Sequence, residues 1–106
     1  MKWKAITREE FDELFSKQLG ELSPEARAAF DRFSVPVQTA RIVRSEQGGE
    51  EEVFVVARCP GGVLYFDDVE CGFNVGSVDT QDLIVDPGGS QFTLTEAVEC
   101  WLIDAP

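Results

Sequence analysis

The pattern of this 106-residue chain predicts an α+β domain: an N-terminal helical hairpin, an antiparallel four- to five-stranded meander, and a C-terminal helix packed on the sheet. Three observations carry that reading. Two helix-start signals, Thr7-Arg8-Glu9-Glu10 and Ser23-Pro24-Glu25, open the chain. From Val37 onward the apolar period drops from helical spacing to two, with Gly-containing turns between the apolar runs. A third start signal, with Ser90 or Thr93 as the cap and Glu96 as a capping-box partner for Thr93, precedes a segment that places Ala97, Val98, Trp101 and Leu102 on one helical face.

Taken in order, Thr7 and Glu10 form a capping box, and Phe11, Leu14, Phe15 and Leu19 follow at helical spacing until Gly20, a natural left-handed stop. Glu9, Glu10, Asp12 and Glu13 complement the positive end of the helix dipole, and Lys17 stands four residues after Glu13 as a favourable surface pair. Ser23 caps a second helix with Pro24 at its first position, a placement that sacrifices no hydrogen bond. Ala26, Ala29, Phe30 and Phe33 make its apolar stripe, and Pro36 limits its extension. Strands are expected over 38–44, 52–58 and 63–66, with weaker ones near 73–78 and 83–85. The turns between them fall at Glu46 to Glu50 and Cys59-Pro60-Gly61-Gly62. The last segment, Gln91 to Ile103, reads as helix in preference to strand, although Phe92, Thr93 and Thr95 favour extended structure.

One feature of the strands leaves two readings open. Val53, Val55 and Ala57 alternate with Phe54 and Val56, and Val63 and Tyr65 alternate with Leu64 and Phe66, so both faces of the central strands are apolar. Either both faces are covered, which is the preferred reading, or one is a protein-binding surface.

The chain length suits a single domain over residues 1–106. With 43% hydrophobic and 27% charged residues, the composition is that of a folded protein and not of an acidic disordered tail. No apolar run reaches the roughly 18 residues that a membrane helix needs. Three cysteines, Cys59, Cys71 and Cys100, without C-x-x-C spacing, suit reduced thiols and a cytoplasmic location.

Charge is distributed unevenly. All nine Lys and Arg lie within residues 1–58, and the base-free remainder carries nine of the twenty acids, giving a net charge of −11 overall. Such a field repels nucleic-acid backbones and anionic membranes and accelerates encounter with a basic protein surface.

The chain has no histidine, which removes Ser-His-Asp and Cys-His nucleophile activation and His-containing zinc sites. It also has no phosphate-binding loop of either glycine-rich type. Carboxylates and thiols are what is left. Asp67-Asp68-Val69-Glu70 is the densest acidic cluster, but Val69 breaks the alternation of a calcium loop, so no metal and no cofactor are expected. Cys59 follows Arg58, which favours a thiolate, yet one cation without histidine is a weak activating set. No catalytic residue is assigned.

The run from Tyr65 to Val75, with its aromatic-acidic strand end followed by Gly72-Phe73-Asn74, resembles a pattern in small uncharacterised bacterial proteins that also carry a tail-helix Trp like Trp101. In size and charge the chain is similar to immunity proteins that neutralise bacterial toxins, a likeness that carries over no functional residue. The expectation is therefore an acidic, bacterial protein-binding module that engages a basic partner, with toxin antagonism as its more specific form. Asp67, Asp68, Glu70 and Phe73 form the expected contact patch. A structural or regulatory homodimer joined through an apolar sheet face is the alternative, and an enzyme using carboxylates or Cys59 ranks last.

Overall fold

The computed structural model describes residues 6–44, 49–60, 62–67, 72–81, 83–86 and 91–104. The element order among them is α1 (Arg8–Gly20), α2 (Pro24–Phe33), β1 (Ser34–Arg44), β2 (Gly49–Cys59), β3 (Gly62–Asp67), β4 (Gly72–Val78), β5 (Leu83–Asp86) and α3 (Leu94–Trp101). This is the expected α+β order, with the N-terminal helices and the C-terminal helix packed on a five-stranded meander.

Each helix starts where its cap dictates. Thr7 Oγ1 accepts from the Glu10 amide at 3.1 Å while Glu10 Oε1 accepts from the Thr7 amide at 3.0 Å. Ser23 Oγ accepts from Ala26 N, with Pro24 at the first helical position. Thr93 and Glu96 repeat the reciprocal box at α3, at 3.2 and 3.0 Å. The helix therefore begins at Leu94, and the extended preference of Phe92 is expressed just before it, in a bridge to Phe73. Gly20 does not provide the left-handed stop expected of it. The cap of α1 is Glu21 in right-handed geometry, its amide reaching Gln18 O and Leu19 O.

The meander closes on itself. β1 to β5 pair antiparallel in sequence order, and β5 returns to β1 in parallel through Arg41 with Leu83 and Ile42 with Ile84, making a closed barrel. Closure answers the question posed by the two-sided strands. Ala40, Ile42, Val53, Val55, Val63, Tyr65 and Ile84 pack together inside the barrel. Phe54, Val56, Leu64, Phe66 and Phe73 face outward, where Phe11, Phe30, Leu94, Val98 and Leu102 of the helices cover them. The register between β2 and β3 shifts between Val55 and Ala57, and this bulge turns Ala57 to the helical side along with Val56, against simple alternation.

Phe11 is the centre of the outer layer. Its ring lies 4.7 Å from Phe54, 5.5 Å from Phe15, 5.6 Å from Phe66 and 6.5 Å from Phe73, and Phe15 reaches Phe30 of α2 at 6.0 Å. Full burial of one such ring contributes about 2–3 kcal/mol, so this cluster is a main support of the helix-on-barrel packing. Two glycines allow close backbone approaches. A Cβ at Gly62, which has φ 152°, would collide with the Gly76 carbonyl, and one at Gly72 would lie 2.5 Å from Gln91 Cα. The second approach lets Phe73 N donate to Phe92 O at 2.8 Å, which ties the α3 leader to β4.

Candidate functional site

Two of the four residues expected to form a contact patch, Asp67 and Phe73, are buried. Phe73 is fully buried, 5.1 Å from Phe66 and within the Phe11 cluster, so its ring is a core ring and not a contact anchor. Asp67 is also fully buried. It shares the strand face of Val63 and Tyr65, and Asn74, 1% exposed, stands in register opposite Tyr65, so the three make a polar group at the barrel interior. A partner cannot reach a carboxylate with no exposed surface, and a surface role for Asp67 is corrected accordingly. Asp68 and Glu70 lie outside the described residues.

A different acidic surface is built by α1. Glu10, Glu13, Leu14, Lys17, Gln18 and Glu21 recur at helical spacing and line one groove of about 480 Å³. The core-facing residues of the same helix, Phe11 and Phe15, hold it against the barrel, so this strip is left to the solvent side. Glu13, Lys17 and Glu21 are exposed, whereas Leu14 and Gln18 are half-buried and form the floor. Gln18 has a second contact: its Oε1 accepts from Leu94 N at 2.6 Å and so joins the groove to the first turn of α3.

The ion pairs of the N-terminal helices lie elsewhere. Arg8 Nε meets Asp12 Oδ1 at 2.8 Å and Arg27 Nε meets Asp31 Oδ1 at 3.0 Å, both at i,i+4 spacing. The expected Glu13–Lys17 pair is not made. Among the described residues neither Glu13 nor Glu21 has an ion-pair partner.

A smaller groove of about 320 Å³ is lined by Arg58, Cys59, Pro60, Gly62, Val63, Ser77 and Val78. Cys59 is half-buried and its thiol donates to Gly62 O at 3.5 Å, while Arg58 Nε donates to Gln38 Oε1 at 3.1 Å. The thiol is thus engaged with a carbonyl of its own hairpin turn. Cys100 is exposed on α3, and Cys71 lies outside the described residues. Asp79 closes the β4–β5 turn, its Oδ1 accepting from Gln81 N and Leu83 N, which gives it a structural task.

The groove on α1 had a sequence signature. Acids at 10, 13 and 21 with Leu14 and Gln18 fall on one helical stripe, but the capping box and the dipole already accounted for the acids nearest the start. Among the described residues no helix is long and apolar enough to cross a membrane. Comparison with protein families, with curated proteins and with solved structures finds no match to this chain.

Proposed function

We propose that this chain is an acidic protein-binding module whose partner is a basic protein, with neutralisation of a bacterial toxin in the cytoplasm as the more specific form. The observation that carries the reading is the net charge of −11 on a chain whose packing is otherwise ordinary. Acidic side chains of all three helices are exposed, among them Glu13, Glu25 and Glu99. A field of this sign raises the encounter rate with a cationic surface and disfavours acidic competitors.

The apolar sheet face that motivated a homodimer is interior once the barrel closes, and Val85, at 52%, is the large exposed hydrophobic residue among those described. This favours a different protein as partner over a homodimer joined through the sheet. Chemistry at Cys59 has little support, since the thiol is half-buried in its hydrogen-bonded turn.

Affinity capture on the tagged chain, read by mass spectrometry at low and high salt, tests the reading. The expected result is a basic protein enriched at low salt and depleted at high salt. Absence of any basic partner at low salt contradicts it.

A further inference from the structure

We infer that the groove along α1 is the docking surface for a basic, amphipathic segment of a partner protein, an inference that rests on the reading above and gives it an address. Three features converge on this strip. It is concave, with a volume of about 480 Å³, and its lining runs the length of the helix from Glu10 to Glu21. At 1.5 Å per residue that is roughly 16 Å, about three turns of a helix lying alongside.

Its charge is uncompensated in part, as is that of Glu9, Glu25 and Glu99 elsewhere on the helices, and here it lies along a groove. Asp12 and Asp31 each hold an arginine, whereas among the described residues Glu13 and Glu21 have no ion-pair partner and the groove lining has a single cation, Lys17. Carboxylates toward both ends of the strip would meet cations placed toward both ends of the incoming segment. Between them Leu14, half-buried and packed against the core, offers an apolar contact. A segment with Lys or Arg flanking an apolar side chain at helical spacing complements that order, in the manner of helix-in-groove recognition. A nucleic acid or an anionic surface would meet net repulsion from three carboxylates against one cation.

The test uses three probes on the isotopically labelled chain, followed by amide chemical shifts at low salt. The first is a synthetic amphipathic peptide of lysines and leucines at helical spacing, the second its leucine-to-serine analogue of equal charge, and the third spermine. The inference expects the first peptide to shift residues 10–21 and the start of α3, with the serine analogue and spermine binding more weakly. It also expects Glu13→Gln with Glu21→Gln to weaken the first peptide about three- to tenfold, the range for two exposed ion pairs. Both variants change exposed residues, so the dispersion of the spectrum verifies the fold. If the peptide binds but shifts another surface, or if the double variant binds equally well, the groove assignment is overturned while the basic-partner reading stands. If spermine or the serine analogue matches the peptide, the apolar component is wrong and the inference fails. If no cationic probe binds at low salt, both readings fall.

Discussion

Gln18 Oε1 accepts a 2.6 Å hydrogen bond from the Leu94 amide, so the first free N–H of α3 is satisfied by a side chain from α1, 76 residues away in sequence. Helix N-termini present unsatisfied amides that need partners, and Thr93 serves only that of Glu96. The long-range contact therefore both caps α3 and fixes where it sits against α1. Replacing Gln18 by Ala should cost about 1 kcal/mol, read as a lower denaturation midpoint. Gln18→Glu keeps an acceptor at the positive end of α3 and should retain most of the stability.

Phe11 joins helix to barrel through the rings of Phe54, Phe66 and Phe73, with Phe15 of its own helix beside it. Phe11→Ala should cost about 3–5 kcal/mol, as large cavities in aromatic cores do. Phe33→Ala, at a half-buried ring stacked under Arg32, should cost clearly less. Chemical denaturation of the two variants decides, and equal losses would displace Phe11 from the centre of the core.

Gly72 faces the backbone of Gln91 and Phe92 with no room for a Cβ. Gly72→Ala should therefore push the α3 leader off β4, at a cost of about 1–3 kcal/mol. Hydrogen exchange reports on this locally: the Phe73 amide, bonded to Phe92 O, should be protected in the parent chain and exchange faster in the variant.

Thiol labelling under native conditions should modify Cys100 before Cys59, because Cys100 is exposed and Cys59 is half-buried with its thiol on Gly62 O. Peptide mapping after brief alkylation gives the order. Preferential labelling of Cys59 near neutral pH would mark it as activated and return the enzyme reading to contention.

The helices were legible because their signals are local. Both capping boxes and the Ser23-Pro24 start are short-range chemistry, and the structure places each helix within a residue of them. The strands were legible for the same reason, since alternation and turn residues are read a few positions at a time. Barrel closure was not legible: it depends on Arg41 and Ile42 pairing with Leu83 and Ile84, forty-two residues onward, and no local pattern encodes a partner at that distance. The burial of Asp67 and Phe73 was missed on a related point. Asp67 at a strand end looks like a solvated terminus, yet parity from Val63 and Tyr65 already assigned it to their face, which closure makes the interior. Phe73 gave two compatible signals, anchor or core, and the position of Phe11 decided between them. The groove residues were read singly, as cap, dipole partner and surface pair, which hid the stripe they form together.

The most direct test of the acidic-module account is affinity capture carried out in parallel on three chains at low salt. These are the parent, the Glu13→Gln with Glu21→Gln variant, and a control with the same charge change on and after α3, Glu99→Gln with Asp104→Asn, both exposed positions. The account predicts one basic protein enriched on the parent and on the control, and depleted on the groove variant. A parent chain that enriches no basic protein under these conditions contradicts it.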